Sequence, residues 1–242
     1  MYNKLASSIE EQILTIELGK VKLKGELVIP EGAEGIVVIP CIESNIKYGH
    51  RLCYFAHLLR QGGLATILIP LLTEEEDWQD QRSKHFRYNV RHLATRLVGI
   101  VDYLADNPMT CDFKIGYFGT SAGGGAVLLA AAERPTKVHV VVAHSAYINF
   151  CSSVLSYLRS PTLLIVGSED YPVITENEDA FAQIPTCNKH MEVVRGASHQ
   201  FKELGTFEEA ARLANQWFKR YFGSKESNLN QTNFKQFDFA SA

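Results

Sequence analysis

An apolar run, Ile115-Gly116-Tyr117-Phe118, leads directly into Gly119-Thr120-Ser121-Ala122-Gly123 and then into the alanine-rich stretch Ala126 to Ala132, which ends before Pro135. A strand that turns this abruptly into a helix needs small neighbours at the turn, because Gly119 and Gly123 leave room for a strained backbone and for close approach of strand and helix. The spacing predicts a nucleophile elbow, with the Ser121 hydroxyl lifted above a sheet edge. The amide of Ala122 would open a helix N-terminus, where it can stabilise an oxyanion. Gly-x-Ser-x-Gly alone is a weak signal, since about one chain in ten of this length contains it by chance. The buried-strand pattern before it and the strong helix former after it carry the inference.

The same strand-helix rhythm runs along most of the chain. Ile13 to Leu18 and Val21 to Ile29 alternate apolar and polar side chains around Gly19-Lys20, which predicts an antiparallel hairpin. Ile36 to Ile39, Leu64 to Ile69, the elbow strand, Val138 to Ala143 and Thr162 to Val166 are short apolar runs, the pattern of strands buried on both faces, and Met191 to Val194 closes the strand set. Helical spacing appears over Tyr48 to Arg60, Phe86 to Leu104 and Phe207 to Tyr221, with a short helix around Cys151 to Leu158. The reading is a doubly wound α/β fold, a mostly parallel sheet led by an N-terminal antiparallel hairpin. Residues 1–222 read as one domain and 223–242, which lack a sustained period, as a loosely held tail. Between Ala143 and Thr162 there is no room for a large helical lid, so an open, shallow pocket is expected.

Composition narrows the partners. The 242 residues carry a formal net charge of -3, which supplies no basic field for nucleic acid and no polybasic segment for a membrane surface. A small-molecule substrate is the partner that remains, and a homo-oligomer is left open. Met1 to Ser8 lacks the apolar core of a signal peptide and no apolar run approaches membrane-spanning length, so the expected location is cytoplasmic. The cysteines Cys41, Cys53, Cys111, Cys151 and Cys187 are odd in number and widely spread, which is neither a disulfide framework nor a zinc site.

A serine hydroxyl is a poor nucleophile near neutral pH and requires a base and a group to orient that base. Gly167-Ser168-Glu169-Asp170-Tyr171-Pro172 follows one apolar strand and Gly196-Ala197-Ser198-His199 follows the next. Ser121, Asp170 and His199 therefore occur in a catalytic order at the carboxyl ends of parallel strands, the edge where open α/β sheets bind ligands. Glu169 is the competing acid. His144-Ser145 reaches the same edge, with pocket-lining and plain loop roles equally open. His50, Arg51, His85 and Arg87 read as surface or helix-end residues, and Trp78 reads as part of an acidic loop that covers some of the cleft.

Gly119-Thr120-Ser121-Ala122-Gly123, Leu164 to Asp170 and Gly196 to His199 resemble the α/β-hydrolase superfamily, and its dienelactone-hydrolase-like branch in particular. The resemblance spans about Gln12 to Phe222 and includes Ala65 to Glu76. It implies a Ser121-His199-Asp170 hydrolase that uses no metal or organic cofactor and acts on a small carboxylic ester or thioester. It also implies that an amide after the first parallel strand completes the oxyanion hole with Ala122. That loop reads Pro40-Cys41-Ile42-Glu43-Ser44, without the glycine many relatives carry, which makes Cys41 or Ile42 the donor. Glu43 is then a substrate-side carboxylate or, on the plainer reading, a solvated loop residue. Dienelactone hydrolases carry cysteine at the nucleophile position, so Ser121 does not carry dienelactone over as the substrate. The rival reading is a binding or scaffold protein that keeps the fold with a weakened site.

Overall fold

The computed structural model describes residues 10–44, 49–149 and 152–223; Met1 to Ser8, Tyr48, Cys151 and residues 224–242 lie outside them. Strands β1 (Glu10–Leu18) and β2 (Val21–Ile29) form the expected hairpin, paired from Leu18↔Val21 across a two-residue turn in which Gly19 has φ +62. Alternation decides their orientation: Leu14, Ile16 and Leu23 are buried while their sequence neighbours are partly or fully exposed, and the pattern ends at Leu27-Val28, both buried, where β2 pairs with β4 as well. The strands β3 (Gly35–Cys41), β4 (Ala65–Pro70), β5 (Lys114–Thr120), β6 (Val138–His144) and β7 (Thr162–Gly167) are buried almost throughout, as continuous apolar runs require. β8 (Lys189–Val194) closes one edge and is half exposed.

These strands lie in the order β1-β2-β4-β3-β5-β6-β7-β8, parallel from β4 onward and antiparallel at β1/β2 and β2/β4. After β3 the chain goes to one neighbouring position, β4, and then crosses to the other, β5. The switch opens a crevice beyond the carboxyl ends of β3 and β5, between the Pro40–Ser44 loop and Ser121. On one face, α1 (His50–Gln61) packs against α6 (Thr206–Phe222) over Phe55, Phe118 and Phe218. On the other, α3 (Val90–Asp106) packs against α4 (Ser121–Glu133), which α5 (Tyr171–Gln183) flanks. Among the described residues no helix is long and apolar enough to cross a membrane.

Two helices depart from the pattern read in the sequence. α2 (Glu74–Ser83) occupies what reads as an acidic loop, opened by a capping box in which Thr73 Oγ1 accepts from Glu76 N and Glu76 Oε2 accepts from Thr73 N at 2.9 Å. Four acidic residues in its first turn complement the helix dipole. α5 begins directly after Asp170, with Pro172 in its first turn. The segment from Phe86 is not helical until Asn89, whose side chain caps α3 by accepting from His92 N. The short helix between β6 and β7 is a 3-10 turn, Ser152–Tyr157.

The two motif glycines have unequal roles. A Cβ on Gly119 would lie 2.5 Å from the Gly123 carbonyl oxygen and 2.8 Å from Val127 Cγ2, so strand and helix close on this residue. A Cβ on Gly123 would meet only Pro40 Cγ at 3.9 Å, which corrects the expectation that both are sterically required. Gly119→Ala is therefore expected to lower unfolding free energy by about 1–3 kcal/mol through overpacking. Gly123→Ala, in the first turn of α4, is expected to be neutral or to stabilise by up to ~1 kcal/mol. Urea denaturation of both variants measures the contrast, and equal losses would contradict it.

Candidate active site

Ser121 has φ +49, a conformation that crowds its Cβ and that the turn from β5 into α4 enforces. Its Oγ lies 3.1 Å from His199 Nε2, and His199 Nδ1 lies 2.6 Å from Asp170 Oδ2. The carboxylate can only accept, so Nδ1 carries the proton and Nε2 presents its lone pair to the serine hydroxyl. Asp170 is buried at the N-terminal end of α5, its amide donating to Gly167 O. Glu169 instead accepts from Ser168 Oγ at the surface, so geometry separates the two candidate acids. Asp170 and His199 are brought together by main-chain bonds between the β7 and β8 loops, Glu169 N to Ala197 O (2.9 Å) and Ser168 N to Val194 O (3.0 Å). The Glu203 carboxylate accepts from Ser198 N, and Arg51 of α1 donates to Phe201 O at 3.0 Å, anchoring the histidine loop on both sides.

Ser121 opens into a cavity of about 520 Å³. Ala122, Ile42, Glu43 and His144 line it, whereas Cys41 is fully buried in the core beneath α1. Burial, reinforced by the nearby Glu43 charge, pushes the Cys41 thiol far above its ordinary value and keeps it protonated. Arg51 and Arg87, read from sequence as surface or helix-end residues, form part of the cavity wall. Arg51 lies over the Phe207 ring at 4.4 Å. Arg87 Nε donates to the buried Asp80 at 2.5 Å, and the same carboxylate accepts from the amides of Phe86 and Arg87. Burial opposes charge on Asp80, yet these bonds outweigh it and hold its pKa below the usual carboxylate value. Trp78 is exposed and packs with Arg82 on α2, away from the cavity lining.

Two cavity residues escape a reading confined to motifs. Tyr147 places its hydroxyl 3.2 Å from His199 Nε2 and stacks on the imidazole with ring planes 8° apart, and Tyr88 lies nearby on the rim. Tyr147 follows the end of β6 by three residues, so the carboxyl-edge rule that singled out His144 reaches it when extended by one turn of chain. Among the described residues no group of three His, Cys, Asp or Glu side chains is placed to hold a metal ion.

A doubly wound sheet with a serine at its central strand-helix turn and an imidazole-carboxylate pair on adjoining loops is the architecture of the α/β-hydrolase class, similar to that of dienelactone hydrolase. The chain belongs to the PETase family, PET hydrolase-like, whose model matches residues 30–237. The crystal structure of dienelactone hydrolase from Anabaena variabilis is 47% identical, with a TM-score of 0.84 over 88% of this chain and 98% of that one. Est1E from Butyrivibrio proteoclasticus shares the fold at 14% identity, with a TM-score of 0.71 over 88% of this chain and 99% of that one. A Mycobacterium tuberculosis protein named "Putative phosphoribosyl transferase" is 37% identical over 211 residues, 87% of this chain and 46% of that protein. The chain thus spans about half the length of the curated relatives it matches.

His144 gives the site a testable pH signature. It is buried against Phe118, Phe201 and Phe207, and neither ring nitrogen has a hydrogen-bond partner among the described residues. Burial first, then the neighbouring His199 and Arg51, lower its pKa from 6.5 to about 3. Between those values the unfolded chain takes up a proton that the folded protein refuses, so this residue makes stability fall as pH drops from 6.5 toward 3 and is without effect above 6.5. Unfolding free energies measured in urea across that range should fall less steeply for His144→Leu than for the wild type; parallel curves would contradict the assignment.

Proposed function

We propose that this protein hydrolyses a small carboxylic ester or thioester through an acyl-enzyme formed on Ser121. The observation that carries the reading is the continuous chain Ser121 Oγ to His199 Nε2 to Asp170 Oδ2, with spacings of 3.1 and 2.6 Å, at the edge of a shallow cavity. His199 takes the serine proton as Oγ attacks the carbonyl carbon. Asp170 holds the imidazole in the required tautomer and stabilises the imidazolium. The electron pair displaced onto the carbonyl oxygen makes an oxyanion to which backbone amides donate hydrogen bonds, and its collapse expels the leaving group, which takes the proton from His199. Water then repeats the sequence against the acyl-enzyme.

Two amides suit the oxyanion. Ala122 lies in the first turn of α4, where helix N–H groups lack intrahelical partners. For the second, strand geometry favours Ile42 over Cys41. The Cys41 carbonyl accepts from Leu71 N beyond β4, and a strand residue directs its N–H and C=O to the same side, so the Cys41 amide faces β4. Continuing that alternation, the next amide, that of Ile42, would turn to the β5 side, where Ile42 lines the cavity with Ser121. An isoleucine in place of glycine narrows this approach and favours short acyl groups. The Mycobacterium tuberculosis name belongs to a protein of about twice this length, and no transfer of a phosphoribosyl group is proposed for the Ser121 site.

Fluorophosphonate labelling with mass mapping, read beside p-nitrophenyl acetate hydrolysis, tests the reading. The label is expected on Ser121 alone, and Ser121→Ala is expected to lose both label and at least about 10⁴-fold of turnover with an unchanged melting temperature. A folded wild type that neither takes the label nor turns over esters would overturn it and favour a binding role.

A further inference from the structure

We infer that the Tyr147 hydroxyl is a catalytic hydrogen-bond donor to the leaving-group oxygen, which makes the site selective for oxygen esters over thioesters. The inference rests on the acyl-enzyme reading of Ser121 and names a residue that the Ser-His-Asp chain does not require.

The structure builds the position of this phenol with some care. Its backbone amide donates to Ser121 O at 3.0 Å, which fastens the loop after β6 to the elbow itself. Two glycines of α4 make room for that loop. A Cβ on Gly124 would lie 2.5 Å from Ala146 Cβ, and one on Gly125 would lie 2.6 Å from Tyr147 O. The run Gly123-Gly124-Gly125 thus serves the seating of Ala146 and Tyr147 more than the turn at Ser121. The Tyr147 ring then lies parallel to the His199 imidazole, with centroids 5.3 Å apart, and its hydroxyl lies 3.2 Å from His199 Nε2.

Two hydroxyls share one acceptor. Nε2 of the neutral imidazole has a single lone pair, and Ser121 must use it for its proton to be removed. The Tyr147 proton is then free to point toward Ser121 Oγ or into the cavity. Burial of the phenol, reinforced by Tyr88, Asp170 and Glu176, raises its pKa above that of an ordinary tyrosine, so it enters the reaction as a donor with its proton in place.

When the tetrahedral intermediate collapses, the leaving oxygen must come within about 3 Å of Nε2 to receive its proton. Tyr147 Oη already stands 3.2 Å from that nitrogen, so the phenol and the leaving oxygen lie side by side. The carbon–oxygen bond breaks with its electron pair moving to the leaving oxygen. His199 delivers its Nε2 proton to that atom, the oxyanion re-forms the carbonyl, and Tyr147 donates a hydrogen bond to the developing charge while keeping its own proton. A sulfur leaving group is a weak acceptor and gains little from this donor.

Tyr147→Phe keeps the stacked ring and removes only the donor. It is compared with the wild type on ethyl acetate, p-nitrophenyl acetate and S-ethyl thioacetate, which share one acyl group. A hydrogen bond to developing charge implies that kcat/KM for ethyl acetate falls about 10- to 100-fold further than for the other two, because ethoxide most needs stabilisation. Retained fluorophosphonate labelling of Ser121 in the variant separates this from misplacement of His199. Equal losses on all three substrates, or no loss, would overturn the role of Tyr147 and leave the serine-hydrolase reading standing. A wild type without turnover on any of them would overturn both.

Discussion

The backbone at Ser121 is the constraint on which the site depends. A serine held at φ +49 costs on the order of 1–3 kcal/mol, and such a conformation persists only where its surroundings over-determine it. Three contacts do so here. Gly119 closes against the Gly123 carbonyl, the Ser121 carbonyl accepts from Tyr147 N, and β5 is paired on both sides by β3 and β6. Just before the turn, Phe118 is stacked on Phe55 at 3.9 Å, so the strand cannot slide to relieve the strain. The same turn that exposes the hydroxyl presents the first amides of α4 beside it, so the proposed nucleophile and the proposed oxyanion donor both derive from one strained residue.

Around this fixed point, carboxylates hold the loops that would otherwise set the cavity walls adrift. Asp77 accepts from both the amide and the hydroxyl of Ser44, tying the end of β3 to α2. Asp80 gathers the turn before α3 and fixes Arg87. Glu76 caps α2 and also receives a two-pronged contact from Arg96, whose guanidinium reaches the Leu71 carbonyl as well. These acids make α2 a brace for the cavity, although its outer surface is polar and it buries few apolar side chains. Polar bonding to main chain, rather than apolar packing, sets the shape of this wall.

That distinction explains what was legible in the sequence. Strands β3 to β7 announce themselves as apolar runs because both faces are covered, whereas the half-exposed edge strand β8 does not; the order Ser121, Asp170, His199 follows from the positions of β5, β7 and β8. α2 was hidden because its mean character is acidic; the Thr73-x-x-Glu76 capping box was the available signal, and it speaks through hydrogen bonds instead of hydrophobic period. α5 is hidden because Asp170 makes no side-chain cap bond to the helix it precedes, and Pro172, its first-turn residue, serves a loop equally well. Arg51 and Arg87 looked like solvated ends because one accepts its position from a carbonyl and the other from a carboxylate distant in the chain. Tyr147 required knowledge of where the loop after β6 lies, which the glycines of α4 encode only once the packing is known.

Burial also settles which groups can react. The carboxyl edge holds two potential nucleophiles, Cys41 and Ser121, and two imidazoles, His144 and His199. The thiol is the stronger nucleophile in water, but in the core its ionised form is so disfavoured that it stays protonated. His144 is held neutral down to about pH 3 by its burial and by the charges of its neighbours, and among the described residues it finds no acceptor or donor through which to relay a proton. His199, by contrast, faces the cavity and has a carboxylate to balance the charge it acquires. Of each pair, desolvation silences one member and a hydrogen-bonded partner equips the other. The proposed chemistry needs no intrinsically special residue, because an ordinary serine and an ordinary histidine become the reactive pair by being the ones left accessible and connected.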